Sequence, residues 1–118
     1  MSNMSQKDIE IANTILLQLG GANKVKLFTG AKNFLAISDG LCFTFPQRKR
    51  SLPNCVRITL SPADTYNIEF TRFAESKINK KTYEFIPAQN KVIKQYKDIY
   101  CDQLVELFEE NTRLYLHL

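Results

Sequence analysis

The N-terminal part of the chain carries an apolar stripe at helical spacing. Ser5 is a candidate N-cap with Asp8 three residues later, and Gly20-Gly21 provides a left-handed exit. This pattern predicts a helix over residues 6–19. The positions that form the stripe are Ile9, Ala12, Ile15, Leu16 and Leu19.

From Lys24 onward the period of the pattern changes to two, which is typical of strands that bury one face. Asp39-Gly40 lies between two alternating segments, and this dipeptide is a strong signal for a two-residue hairpin. The last two predicted strands form a pair joined through residues 87–90, and the loops at 46–54 and 74–81 interrupt the meander. The predicted strands cover residues 24–27, 34–37, 41–45, 56–60, 66–70, 82–86 and 91–96.

A wide apolar stripe returns near the C-terminus and predicts a second helix that ends near Asn111, with Asp98 as its N-cap. The tail after this helix is apolar, so we expect it to fold back as a short strand or to pack under the helix. The predicted fold is therefore α+β, in one two-layer domain spanning residues 1–118. It has an N-terminal helix, an antiparallel meander sheet of about five to seven strands, and a C-terminal helix.

Composition agrees with one globular domain, since 44% of the 118 residues are hydrophobic and 24% are charged. The chain has no apolar run long enough to span a bilayer and no signal-peptide pattern, so we expect a cytoplasmic protein that does not bind membranes. Cys42, Cys55 and Cys101 form no CxxC pair, which favours reduced thiols over disulfides or a zinc site.

The net charge of +4 conceals a basic central segment. Residues 24–97 carry 14 Lys and Arg against 5 Asp and Glu, whereas residues 98–118 carry 1 against 5. Such a segment could attract an anionic partner, or it could keep one sheet face solvated and protect the strand edges. If the basic loops meet in space, they could bind nucleic-acid phosphates without reading sequence. The candidate nucleic-acid-binding residues are Arg48, Lys49, Arg50, Lys77, Lys80, Lys81 and Lys94.

Catalytic chemistry has little support in the sequence. The single histidine, His117, is next to last in the chain, and dinucleotide, P-loop and zincin motifs are absent. The segment Thr29–Phe34 has a glycine and a lysine that could face an anion, but a hairpin turn with a positive φ at Gly30 or Asn33 is the simpler interpretation. We therefore expect a protein that is not an enzyme and that holds no cofactor or metal.

The apolar tail allows two interpretations. It could complete the core of a small domain, or it could dock on a protein partner or on a second copy of the chain. The candidate interface residues are Leu114, Tyr115, Leu116 and Leu118.

Several short motifs have no chemistry attached but are distinctive. They are Ile11-Ala12-Asn13-Thr14-Ile15, Thr29-Gly30-Ala31-Lys32-Asn33-Phe34, Asp64-Thr65-Tyr66, Tyr100-Cys101-Asp102 and Leu114-Tyr115-Leu116-His117-Leu118. On these motifs the chain resembles a family of short proteins of unknown function that bacteriophages and other mobile elements encode. Arg113 stands where that family leads us to expect a helix-terminating glycine, and Leu116 where we expect threonine.

The resemblance implies a mobile-element origin and a bacterial cytoplasm. Accessory proteins of this kind often act by binding, so it implies a non-enzymatic module that binds a protein partner such as a component of host defence. Nucleic-acid binding through the basic central segment is the alternative.

Overall fold

The computed structural model describes residues 5–49, 51–74 and 76–116. A 3₁₀ turn, Cys101–Gln103, precedes the last helix. The helices are α1 (Gln6–Gln18), α2 (Ala22–Thr29) and α3 (Leu104–Thr112). The strands are β1 (Lys32–Ile37), β2 (Gly40–Thr44), β3 (Cys55–Leu60), β4 (Tyr66–Ala74), β5 (Lys77–Ile78), β6 (Phe85–Ile86) and β7 (Gln89–Ile99).

Helix α1 begins as its capping residues predict. The Ser5 hydroxyl accepts a hydrogen bond from the Asp8 N–H at 3.1 Å, and the Asp8 carboxylate accepts from the Ser5 side chain and backbone. The helix ends at Gln18, and both following glycines have positive φ, 115° at Gly20 and 97° at Gly21. Ser5 and Asp8 therefore form a capping box, which supplies partners for N–H groups that the first helical turn leaves open.

The predicted strand at residues 24–27 is wrong, because this segment belongs to α2. A strand would bury Val25 and Leu27 on one face, but Val25 is 0% and Leu27 80% exposed. Val25 instead shares a buried face with Thr29, four residues on, as a helix requires. The alternation of lysine with apolar residues in this segment therefore arises by chance, because the helix is short and buries only one row of side chains.

The main sheet has the order β1-β2-β3-β4-β7, and all its neighbours are antiparallel. The Asp39-Gly40 hairpin joins β1 to β2 as predicted, with Ile37 opposite Gly40. The first four strands form a meander, and β7 returns along the free edge of β4. The main sheet therefore has β1 and β7 as its two edge strands.

The prediction that residues 82–86 pair with residues 91–96 is wrong. Strand β6 pairs with β5, which lies inside a segment predicted to be a loop, and β7 pairs with β4. Strand β4 continues to Ala74, beyond the end of β3, and its long partner β7 runs beside it to Gln89. The chain between them leaves the sheet as a separate small hairpin.

The N-cap prediction for the C-terminal helix is also wrong. Asp98 has a φ of 56° and lies where the β4–β7 register shifts, so it belongs to a bulge in β7. The helical segment starts at Tyr100, whose N–H donates to the Gln103 side chain at 3.0 Å. Helix α3 ends at Thr112, with Arg113 in the left-handed region at φ 61°.

All three helices contribute buried residues to one core with the sheet. The ring of Phe108, on α3, lies 6.0 Å from that of Phe43 and 5.4 Å from that of Phe45, both measured between centroids. The predicted α+β fold, with a helix at each end and an antiparallel sheet in one small domain, is confirmed, and α2 is an addition to it.

Candidate nucleic-acid interface

The sheet register gathers basic residues from distant parts of the sequence at one end of the sheet. Lys32, Thr44, Cys55, Thr71 and Val92 form a row across all five strands near this end. The β2–β3 loop, the chain between β4 and β7, and the residue after α3 lie at or beyond this row. We call the cations there the basic end: Lys32, Arg48, Lys49, Arg72, Lys77, Lys80, Lys81, Lys91 and Arg113.

The opposite end of the sheet is acidic. It carries the β1–β2 hairpin, the β3–β4 turn and the end of β7, and we call its aspartates the acidic end: Asp8, Asp39, Asp64, Asp98 and Asp102. Cations predominate at one end and aspartates at the other, although Lys7 lies beside Asp39 and Asp64 and Glu84 lies in the chain between β4 and β7. This uneven distribution favours the approach of an anion to the basic end.

The β2–β3 loop is held in place by an arginine that the sequence did not single out. Nη1 of Arg72, near the end of β4, donates to the carbonyl oxygens of Gln47, Lys49 and Leu52 at 3.3–3.4 Å. The Gln47 side chain donates in turn to the carbonyl oxygen of Thr112 at 2.8 Å, at the end of α3. These contacts present Arg48 and Lys49, both exposed, from an anchored loop.

The chain between β4 and β7 projects from the body as an arm, which we define as residues 76–88. Every residue of the arm except Ile86 is exposed. The radius of gyration is 15.4 Å, against about 13.5 Å for a compact chain of this length, and the principal extents are 50 × 38 × 25 Å. Within the arm, Ile78 lies directly opposite Phe85, and the turn after Ile78 carries Lys80, Lys81 and Tyr83.

Of the seven basic residues predicted from sequence, five lie at the basic end. Arg48 and Lys49 lie in the β2–β3 loop, and the lysines at 77, 80 and 81 lie on the arm. Lys94 lies on β7, with its ammonium 5.6 Å from the centroid of the Tyr96 ring. Arg50 lies outside the described residues.

The tail residues are divided between the core and the surface. Leu116 is 2% exposed, and its N–H donates to the Glu109 carboxylate at 2.7 Å. Leu114 is half-buried, whereas Tyr115 is exposed. His117 and Leu118 lie outside the described residues.

The segment from Thr29 to Phe34 joins α2 to β1, so the predicted hairpin turn is wrong. Gly30 has a φ of 73° as the cap of α2, and Asn33 has a φ of 59° at a register shift of β1. The Thr29 hydroxyl donates to the Val25 carbonyl oxygen at 2.6 Å and accepts from the Ala31 N–H. The segment therefore ends one element and starts the next.

A cavity of about 450 Å³ lies between the β2–β3 loop and the end of α3. Its apolar walls come from Pro46, Leu52 and Leu114, and three cations of the basic end, Arg48, Lys49 and Arg113, also line it. The cavity therefore belongs to the basic end.

Three residues of this candidate site were missed by sequence reasoning, for different reasons. Arg72 gains its role from register and loop packing, which no local pattern encodes. Tyr83 and Phe85 follow closely on three lysines in the sequence, and this mixture of aromatic and basic residues is a signal that could have drawn attention to them.

Within the described residues, no cluster of three or more His, Cys, Asp or Glu side chains could hold a metal ion. No helix in the same part of the chain is both long and apolar enough to cross a membrane. Comparisons with models of protein families, with curated proteins and with solved structures found no match for this chain.

Proposed function

We propose that the protein is a non-enzymatic module that binds nucleic acid through the phosphate backbone, using the basic end of the sheet. The observation that carries this proposal is the convergence of cations from the β2–β3 loop, the arm and β7 at one end of the sheet. Phosphate contacts of this kind give binding without sequence preference and a strong dependence on salt.

Cross-strand pairing at this end supports the proposal. Arg72 lies directly opposite Lys91 in the β4–β7 register, and like charges in that position destabilise a sheet. The loop carbonyl oxygens offset part of the Arg72 charge, and a phosphate bound beside exposed Lys91 would offset the remaining repulsion. The fold therefore tolerates a repulsion that ligand binding would relieve.

Fluorescence anisotropy across a salt series tests the proposal, with labelled single- and double-stranded oligonucleotides as probes. We expect log affinity to fall linearly with log salt, and we expect the R48A/K49A variant to bind more weakly with a shallower slope. Absence of binding to every probe at the lowest salt concentration would overturn the proposal.

Two matched charge-reversal variants distinguish the effect of the basic end on affinity from the effect of net charge. K80E/K81E changes the arm, whereas K7E/K24E changes two exposed lysines on α1 and α2, and each pair lowers the formal net charge from +4 to 0. We expect the arm variant to lose most of its affinity and the helix variant to keep it. Equal losses would show that only net charge matters.

Binding of a protein partner is a second candidate function, favoured by the exposed apolar pair of Ile78 and Phe85 on the arm. Under this proposal the resemblance to mobile-element proteins suggests a component of host defence, met in a bacterial cytoplasm. Sedimentation equilibrium of the wild type and of I78D/F85D tests the simplest partner, a second copy of the chain. A concentration-dependent dimer in the wild type that is lost in the variant would support self-association. If the wild type is a monomer at every concentration, self-association is excluded.

A further inference from the structure

Tyr83 projects from the turn of the arm into solvent. Its side chain is 82% exposed, and that of Phe85, two residues further on, is 67% exposed. Single exposed apolar residues are common on folded chains, so exposure alone does not identify a binding residue. What distinguishes these two rings is that they lie two residues apart on one small hairpin, where Phe85 is opposite exposed Ile78.

The backbone holds Tyr83 in an unusual conformation. Its φ is 60°, in the left-handed region that bulky residues rarely adopt. The Tyr83 N–H donates to the Asn79 carbonyl oxygen at 2.6 Å, and the Asn79 N–H donates to the carbonyl oxygen of Glu84 at 2.8 Å. The Asn79 side chain also accepts from the Lys81 N–H at 2.9 Å. Hydrogen bonds thus define the turn, and it places an aromatic residue where glycine or asparagine would be relaxed.

The arm carries three lysines as well as the two rings. Lys80 and Lys81 belong to the same turn, and Lys77 lies on β5 beside the strand that carries Phe85. These three lysines outnumber the single described carboxylate of the arm, Glu84, which lies between the two rings. Exposed rings and lysines on one short segment can bind a nucleotide, because a ring stacks on the base while an ammonium group contacts the phosphate.

We propose that the arm binds single-stranded nucleic acid, with Tyr83 as the residue that stacks on an unpaired base. This inference rests on the proposed function and adds the class of nucleic acid and the contact that selects it. In a duplex the base faces are covered by their neighbours, and exposing one step costs unstacking energy. A single strand offers free base faces to Tyr83 without that cost, so we expect it to bind more tightly than a duplex of equal length.

Variants at position 83 test the stacking contact. Y83N removes the ring but keeps a residue that tolerates a positive φ, so we expect it to fold as stably as the wild type or more so. We expect Y83N to bind a 20-residue oligo-dT about tenfold more weakly, with the slope of log affinity against log salt unchanged, because no charge is removed. Y83F keeps the ring and should bind within about twofold of the wild type.

A tryptophan reporter tests the same contact without measuring affinity. The chain contains no tryptophan, so Y83W introduces a single fluorophore at the turn. Stacking on a base should quench its fluorescence when oligo-dT is added. Y100W is the matched control, because Tyr100 is exposed at the opposite end of the sheet, where we expect no quenching.

The outcomes separate this inference from the proposed function. Salt-dependent binding in which Y83N equals the wild type, Y83W is not quenched, and duplex binds as tightly as oligo-dT would overturn the stacking role while leaving phosphate binding intact. Lack of binding to any oligonucleotide would overturn both. Weaker binding by Y83N, together with quenching in Y83W and none in Y100W, would support the inference.

Discussion

Replacing Arg72 with methionine should destabilise the β2–β3 loop without disturbing the sheet. Methionine keeps an unbranched apolar stem of similar length but cannot donate to the carbonyl oxygens of Gln47, Lys49 and Leu52. These oxygens lie near the surface, where water can replace the guanidinium. The perturbation therefore removes three contacts from one loop.

The magnitude follows from the geometry of the three hydrogen bonds. A hydrogen bond to a charged group contributes about 1.5–3 kcal/mol at good geometry. Nη1 has two N–H groups, so three oxygens share two donors, and the distances of 3.3–3.4 Å exceed the usual N–H···O range. We therefore expect about 1 kcal/mol from each N–H group and about 2 kcal/mol in total. The free energy of unfolding of a domain this size is about 6–18 kcal/mol, so R72M should fold and unfold about 6–10 °C lower.

Thermal unfolding and amide hydrogen exchange measure this effect. The Leu52 N–H donates to the Lys49 carbonyl oxygen at 3.2 Å, so its exchange reports directly on the loop. We expect faster exchange at Leu52 in R72M, with little change at Ile58 in the middle of β3. R72K should recover only part of the loss, because the lysine side chain is shorter and its ammonium group does not reach the position of Nη1.

Arg57→Met is the control, because it makes the same chemical change at an exposed position in the middle of β3. Its free energy of unfolding should stay within about 0.5 kcal/mol of the wild type. If R72M unfolds like R57M and Leu52 exchanges at the wild-type rate, the three contacts of Arg72 do not hold the loop.

Three further predictions concern other parts of the fold. The hydrogen bond from the Asp39 N–H, followed by that from the Ser5 hydroxyl, lowers the pKa of Asp8 below its ordinary 3.8, so the ionised carboxylate stabilises the fold above about pH 4. D8A should therefore melt below the wild type at about pH 7, and the gap should close as pH falls toward about 3. L116A should lower the free energy of unfolding by about 2 kcal/mol in a urea titration, because Leu116 is buried. A thiol reagent should label exposed Cys101 first and Cys42 last, since burial raises the pKa of the Cys42 thiol.

Local signals in the sequence were sufficient where neighbouring residues alone determine the structure. Ser5 and Asp8 cap α1 through contacts three residues apart, and Asp39-Gly40 defines a hairpin through its own backbone preferences. The alternation in β2, β3 and β4 was equally informative, because one face of each strand is buried against the helices.

Prediction failed where the structure depends on distant partners or on very short elements. Helix α2 has eight residues, too few for helical spacing to outweigh a chance alternation of lysine with apolar residues. The pairing of β7 with β4 joins strands separated by the whole arm, and no local pattern distinguishes it from pairing with β6. The candidate site could not be predicted for the same reason, because this register brings the arm and Lys91 to the same end of the sheet as the β2–β3 loop.

Backbone geometry further distinguishes the two ends of the sheet. Among the described residues, the non-glycine positions with positive φ are Asn33, Asp39, Asp64, Tyr83, Asp98 and Arg113. Asparagine and aspartate tolerate this region, so four of the six follow ordinary turn and bulge preferences. Tyr83 and Arg113 do not, and both lie at the basic end.

The aspartates at the acidic end have roles in folding that the lysines of the arm lack. Asp8 accepts from the backbone of Asp39 at 2.8 Å, and Asp98 lies in the β7 bulge and accepts from the Thr65 hydroxyl. By contrast, Lys80 and Lys81 use no side-chain hydrogen bond to any residue that the structure describes, and no ion pair there offsets their charge. Asp8 and Asp98 therefore have a role in folding, whereas no contact among the described residues assigns one to Lys80 or Lys81. Under the proposed function these two lysines contact phosphate groups, and K80E/K81E tests that role.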